Sequence, residues 1–392
     1  MPALAIVPGE IVALFHGHFD SAAEPAVYRA PGRVNLIGEH TDYNLGYVFP
    51  IALEMACYAA IAPAKHGRLR VFSRDLGDEY AIDVGEIAQA KPQQKWSDYV
   101  IGVARELTKA GLDIRPADLL VASDVPTGSG LSSSAALEIA TAVALLGQRS
   151  MPKLEIALLG QRAESQFVGV PCGIMDQYAS VFGREHAAIQ IDCRSLQHEY
   201  VPLPEDIGIV AVNSMVKHEL GTSAYRERVA ECQQAVRAIQ EVAPHVQSLR
   251  DVSVTLFEQI EDRIPDVPRR RARHVISDTQ RVLDLAAAAR AHDLPGMGRL
   301  FVASHRSMQH DYEISCEEID FLVDTAIDIP GVYGARMTGG GFGGCTVNLI
   351  ALEAVGTFRQ YLRTAYLGRY GKQAAFYDCK AAAGAGLVEP GR

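Results

Sequence analysis

Two periodicities alternate along the chain, and the points where one gives way to the other mark its elements. Residues 187–192 (Ala-Ala-Ile-Gln-Ile-Asp) and 207–213 (Ile-Gly-Ile-Val-Ala-Val-Asn) are short runs rich in β-branched residues and read as strands, whereas 131–146 and 154–167 carry helical spacing. The 131–146 segment opens in serines, is alanine-rich and is apolar almost all round. It is therefore expected inside the N-terminal half, with its N-terminus rather than its flank turned to a ligand. Beyond about residue 203 long helical patterns take over at 223–242 and 270–292, the second ending before Leu294-Pro295-Gly296. The final third returns to strand at 345–350, helix at 353–367 and strand at 373–377, a βαβ-type order. These patterns predict an α+β chain of two domains, residues 1–203 and 204–392, divided near Leu203-Pro204. No internal repeat or low-complexity stretch interrupts them.

Composition narrows the class. At 392 residues, 48% hydrophobic and 21% charged, the chain is long enough for two cores and far from disordered composition. A formal charge of −10 argues against a nucleic-acid partner, whose affinity would come from lysine and arginine neutralising phosphates. The one basic run, residues 269–273, reads as a solvated helix face. Seven scattered cysteines without a Cys-x-x-Cys pair predict reduced thiols rather than disulfides or zinc. The opening segment, with Pro8, Glu10 and no basic start, is a poor signal peptide, and no apolar stretch is long enough for a bilayer. The expected compartment is the cytoplasm, with no membrane partner. His16-Gly17-His18 lacks a third metal ligand nearby in sequence.

Three glycine-rich segments hold the candidate chemistry. In Pro126-Thr127-Gly128-Ser129-Gly130-Leu131-Ser132-Ser133-Ser134-Ala135-Ala136, glycines allow backbone to approach an anion, and hydroxyl residues open a helix whose free N–H groups can receive it. The segment has neither the lysine of a Walker loop nor the third glycine of a dinucleotide fingerprint. Between residues 33 and 46, Arg33, Glu39, His40, Asp42 and Asn44 crowd hydrogen-bonding groups that suit a polyol, or a polar loop that saturates its own backbone. In the third segment, Gly339 to Gly344 let backbone pass close to a ligand or form a tight strand-to-helix turn. Asp176, after a Val170-Pro171 break, falls in the first turn of a helix, where an acid is also favoured by the helix dipole alone.

The middle segment is similar to the signature of the GHMP small-molecule kinases, and Gly32 to Tyr43 resembles the signature of the galactokinases within them. The resemblance runs from about residue 28 to Cys379-Lys380. It implies an N-terminal domain like ribosomal protein S5 domain 2, a ferredoxin-like C-terminal domain and an active site in the cleft between them. It further implies transfer of phosphate from ATP, with Mg2+, directly to the anomeric hydroxyl of α-D-galactose; a monomer is expected. On the resemblance, Glu39, His40, Thr41, Asp42, Gly173 and Tyr225 line the sugar pocket. Asp176 is the base and Arg33 its partner and a stabiliser of the transition state. Gly128, Ser129, Gly130, Leu131, Ser132, Ser133 and Ser134 cradle the phosphates, while Ser73 and Trp96 approach the nucleotide. Ser134 and Glu164 are the metal positions. Trp96 and Tyr225 also suit plain packing roles, Glu164 an exposed helix acid and Ser134 a helix cap. Leu45 departs from the family's polar residue or glycine in the Asn-x-Gly turn. The rival readings are a kinase for N-acetylgalactosamine or arabinose, and a non-catalytic galactose and ATP sensor.

Overall fold

Helix 131–146 sets the interior of the N-terminal half, because small side chains let it lie close against a sheet. The computed structural model of the chain describes residues 6–217 and 221–388. The order is α1 (Pro8–His18), β1 (Ala26–Asn35), β2 (Tyr47–Val48), β3 (Pro50–Pro63), β4 (Arg68–Ser73), β5 (Asp78–Asp83), α2 (Ser97–Lys109) and β6 (Ala117–Ser123). Next come α3 (Ser133–Leu146), α4 (Lys153–Arg162), α5 (Met175–Phe182), β7 (Ala187–Asp192) and β8 (Gln197–Pro202). A six-stranded sheet runs β13-β1-β3-β6-β4-β5, closed at one edge by β13 (Gly386–Leu387) from the far end of the chain. α3 packs across β1 and β3, burying Ala135, Ala136, Ile139, Ala140 and Leu145. Each large aliphatic side chain so buried stabilises the fold by about 1.5–3 kcal/mol.

β9 (Ile207–Lys217) opens the second half. After it come α6 (Gly221–Gln240), α7 (Val254–Ile260), α8 (Asp266–Arg290), α9 (Leu294–Ser307), α10 (Glu317–Ile327), β10 (Val332–Thr338), β11 (Gly343–Ala351), α11 (Val355–Tyr370) and β12 (Ala375–Asp378). The sheet order β10-β11-β9-β12, antiparallel throughout, is the 4-1-3-2 order of a ferredoxin-like domain, with the helices α6 to α10 inserted in its first crossover. β2, β7 and β8 form a third, small sheet. The apolar core runs unbroken from β1 and α3 to Val282, Leu285 and Phe301 of the second half, so the two halves share packing where the cleft closes. No helix among the described residues is long and apolar enough to cross a membrane.

Three expectations change. Residues 269–273 are no solvated face: Arg271 is 3% exposed, with Nε 2.7 Å from Glu231 and Nη2 2.7 Å from Glu313, and Arg273 pairs with Glu261 at 2.7 Å. These carboxylates come from α6 and from the turns around α8, so the run is neutralised by packing that sequence order conceals. Residues 339–344 join two strands, not a strand and a helix, and make the β10–β11 hairpin. The helix expected over 154–167 is α4 followed by a π-helical turn, Ala163–Val168, which carries Glu164. His16 and His18 are spent on Glu24 (3.3 Å) and Glu79 (2.7 Å).

Candidate active site

Asp176 and Arg33, 143 residues apart in the chain, meet as a fork where α5 packs on β1. Arg33 lies near the end of β1, whose register shifts between Pro31 and Arg33, and Asp176 sits in the first turn of α5. Nε donates to Oδ1 and Nη2 to Oδ2, both at 2.9 Å, a bidentate geometry that fixes the carboxylate plane. Arg33 Nη1 donates to the Gly130 carbonyl, and Ser132 Oγ donates to Asp176 Oδ2 at 2.5 Å. The acid is thereby tied to the segment that opens α3. That segment turns through left-handed backbone at Gly128, Gly130 and Ser132 before α3 begins at Ser133. Its free amides and the helix dipole suit an anion. Ser129 Oγ is occupied within the turn, donating to the Pro126 carbonyl at 2.7 Å and receiving the Leu131 amide at 3.3 Å.

The third glycine segment lies directly against this one. A Cβ on Gly339 would sit 3.3 Å from the Gly130 Cα, so the two backbones pass closely enough that a side chain at 339 would crowd Gly130. The sugar-loop residues reach the same place. Glu39, 1% exposed, accepts from the Gly339 amide at 2.5 Å, from Thr338 Oγ1 at 3.2 Å and from Asn35, and pairs with Arg336 at 3.3 Å. Burial pushes its carboxyl up, opposed by Arg336. Thr41 turns its hydroxyl inward to the carbonyls of Gly38 (2.9 Å) and Tyr47 (2.6 Å). Glu39 and Thr41 thus brace the loop, while His40, Asp42 and Tyr225 are grouped around its outer side. The ring of Tyr225 lies 5.0 Å from that of His40 and 5.4 Å from that of Tyr43. Leu45, at φ 61°, takes the left-handed turn position that usually costs a branched residue about 1–2 kcal/mol.

His40 is held in one tautomer. Its Nε2 lies 3.3 Å from the Gly340 carbonyl, which can only accept, so Nε2 carries the proton and Nδ1 accepts from Tyr43 OH at 2.8 Å. Tyr43 in turn receives Tyr312 OH at 2.7 Å, and Tyr312 receives the Cys232 thiol at 3.1 Å. Burial, and then His274 nearby, bring the His40 pKa down to about 3, so the ring stays neutral at working pH.

Asp42 behaves differently. Its Oδ2 would lie only 1.7 Å from a Cβ on Gly173, so the absence of a side chain there makes room for this carboxylate. Burial, and then the charge of Asp176, raise the Asp42 pKa to about 6. The fold thus favours the protonated form: this contribution to stability is complete below the unfolded value near 3.8 and is lost as pH rises through about 6. Ligand binding runs the other way, because the ionised group is the stronger acceptor for hydroxyls. The KM for the hydroxylated substrate is therefore expected to rise as pH falls below about 6 and to be flat above pH 7. In Asp42→Asn the profile between pH 5 and 8 should lose that step; an identical step in the variant would assign it to another group.

Glu164 and Ser134 are also brought together, Ser134 hydrogen-bonding the Glu164 carboxylate. Gln177 Nε2 bridges Glu164 (2.7 Å) and Glu138 (2.9 Å). Glu138 is wholly buried on α3, and its Oε1 and the Gln177 Oε1 have no protein partner. Burial and then Glu164 push Glu138 far up; burial and then Asp176 raise Glu164. Trp96 and Ser73 fall in a separate group. Trp96 Nε1 donates to Asp78 (2.8 Å), the residue paired with Ser73, and β4 at Ser73 lies beside Val121 of β6, the strand that leads into residues 126–134. Sequence reasoning passed over Glu138, Gln177, Tyr43 and Tyr312. A lone acid inside an otherwise apolar helix was the available signal for Glu138, since such a charge is not buried without purpose. Tyr43 and Tyr312 lie 269 residues apart, with no such sign.

Family models match three stretches: "Galactokinase galactose-binding signature" over residues 13–63, "GHMP kinases N terminal domain" over 98–184 and "GHMP kinases C terminal" over 285–366. The galactokinase of Roseiflexus sp. (strain RS-1) is 46% identical over 382 residues, 97% of each chain, and that of Chloroflexus aggregans 45% identical over 92% of this chain and 93% of its own. The crystal structure of Lactococcus lactis galactokinase complexed with galactose superposes with a TM-score of 0.93 at 36% identity, covering 98% of this chain and all of that one. Methanococcus jannaschii mevalonate kinase, at 17% identity and a TM-score of 0.66 over 92% of this chain, shares the fold.

Proposed function

The chain belongs to the galactokinase family, and from that premise we propose how its pocket transfers the γ-phosphoryl group of ATP to the anomeric hydroxyl of α-D-galactose. The observation that carries the reading is the Arg33–Asp176–Ser132 constellation, held between the sugar loop and the start of α3. Asp176 accepts the proton of the anomeric hydroxyl as that oxygen attacks phosphorus. Arg33 holds the Asp176 carboxylate through two hydrogen bonds and lies close enough to meet negative charge building on the transferring group. The residues 128–134, with the amides opening α3, hold the phosphates of ATP, and the glycines from 339 complete the wall. His40, Asp42, Tyr225 and the space left by Gly173 receive the sugar hydroxyls. No residue stands ready as a separate nucleophile among those described, so attack is direct.

The acidic cluster suits Mg2+. Glu164 raises the proton affinity of buried Glu138, and Asp176 that of buried Glu164; a divalent cation relieves that repulsion while asking for only one or two protein oxygens. Ser134 and Glu164 would hold it, and it would supply neutralisation of phosphate charge. Glu164→Gln is expected to raise the magnesium concentration for half-maximal rate by about tenfold or more. A superimposable magnesium titration would remove Glu164 from the metal shell. Ser73 and Trp96 are assigned to the nucleotide's base end, on their place beside the strand that feeds the phosphate segment.

Seven unpaired thiols support the cytoplasm as its compartment. The division near residues 203 and 204 puts the site at the junction of the two halves. The test is ADP release with magnesium-ATP against galactose, glucose, N-acetylgalactosamine and arabinose, with the product identified by mass and NMR. Galactose-selective formation of the 1-phosphate is expected. Preference for another sugar would overturn the substrate, and tight ligand binding without turnover would make the protein a sensor.

A further inference from the structure

His274, Asp278 and Val282 succeed one another at intervals of four along α8 and so share one face. All three are fully buried, and that face is turned to the backbone of the sugar loop rather than to its side chains. One oxygen of Asp278, Oδ2, accepts the amides of both Gly38 (3.1 Å) and Glu39 (3.2 Å). The other, Oδ1, accepts from Arg281 at 3.2 Å. His274 Nε2 lies 3.1 Å from the Glu39 carbonyl and must be its donor, while Nδ1 faces Ser307 Oγ at 3.0 Å. Val282 closes on Gly38, where a Cβ would meet its Cγ2 at 2.8 Å. Three backbone polar groups of two adjacent loop residues are thus satisfied from a helix more than 230 residues away in sequence.

The loop needs such a hold. Gly38 (φ 93°) and His40 (φ 60°) both lie in left-handed backbone on either side of Glu39, a conformation that costs free energy at a histidine. Released, the amides of Gly38 and Glu39 would be satisfied by water and the loop would relax.

We propose that His274 and Asp278 are positioning residues for phosphoryl transfer, a backbone clamp on α8 that sets the Gly38–Glu39 peptide and thereby the placement of His40 and Asp42 against the sugar. This rests on residues 39–42 being the sugar loop. A group acting only on sugar placement moves the galactose KM and spares nucleotide binding, whereas a merely structural group lowers stability and all parameters together.

In Asp278→Ala, which removes the oxygen shared by both amides, the galactose KM is expected to rise about tenfold or more, with the ATP KM within about twofold and kcat within about threefold. His274→Phe, which keeps the ring against Tyr312 and removes both nitrogens, should act in the same direction. An unchanged galactose KM in folded Asp278→Ala overturns the clamp, provided Asp42→Asn measured alongside does raise it. If Asp42→Asn leaves it unchanged too, the sugar-loop reading itself falls, and the proposal with it. Hydrogen exchange on the unsubstituted protein gives a test free of folding defects. The Gly38 and Glu39 amides should be as protected without galactose as the interior of α8, and rapid exchange that slows only when galactose binds would overturn a preformed clamp.

Discussion

Asp176→Asn is expected to lower kcat about 10³-fold while galactose and ATP bind within about threefold of the unsubstituted enzyme. The substitution keeps the size of the side chain and one oxygen for Arg33, whose two 2.9 Å bonds hold the present carboxylate. It removes the capacity to take a proton. Positioned general bases typically supply about 10²–10⁴-fold. What remains, the phosphate cradle, Arg33 and the sugar loop, still binds both substrates, so the loss should fall on turnover rather than affinity. The Arg33 side chain is only 6% exposed, so leaving it with a neutral partner also costs stability, and the kinetic comparison is made below the variant's melting temperature. Calorimetric Kd values beside kcat from ADP release make the separation, and a variant retaining about a tenth or more of its turnover would end the base assignment.

The second large effect is expected at Gly173. A methyl group there would overlap Asp42 Oδ2, at 1.7 Å, and the nearest other atoms all belong to the same carboxylate. Because the colliding atom is the tip of a flexible side chain, Asp42 can swing away, and the melting temperature should stay within a few degrees. The same swing removes the carboxylate from its place beside the sugar, so the galactose KM should rise about 30-fold with the ATP KM held, the scale expected of a misplaced binding group. A galactose KM within about threefold in Gly173→Ala would mean that Asp42 does not bind sugar from the position seen here.

Much of this site is legible in the sequence itself. Arg33, residues 128–134 and Asp176 lie in short strings whose chemistry is local: glycines where backbone must approach an anion, hydroxyl residues at a helix start, an acid in a first turn. β7, β9 and α11 follow from periodicity of the same local kind, each within a few residues. What stayed hidden is long-range. Glu39 reads as a sugar ligand from its string alone, and the partners that fix its carboxylate, Gly339, Thr338 and Arg336, lie some 300 residues on. The arginines of 269–273 look solvated because their carboxylate partners, Glu231 and Glu313, lie in other elements. His274 and Asp278 look like polar positions of an amphipathic helix until the loop they hold is laid against them. The 4-1-3-2 sheet, its first crossover expanded by the helices α6 to α10, likewise depends on pairings between distant strands that no local pattern specifies.

Direct attack by the sugar's anomeric oxygen on the γ-phosphorus, with Asp176 as base and no phosphorylated enzyme between, is the central claim. The measurement that meets it head on is the stereochemistry at phosphorus, using ATP made chiral at the γ-position with sulfur and oxygen isotopes and analysing the sugar 1-phosphorothioate. One in-line displacement inverts the configuration, and inversion is the predicted result. Retention would require two displacements and a covalent enzyme intermediate, and would contradict the account.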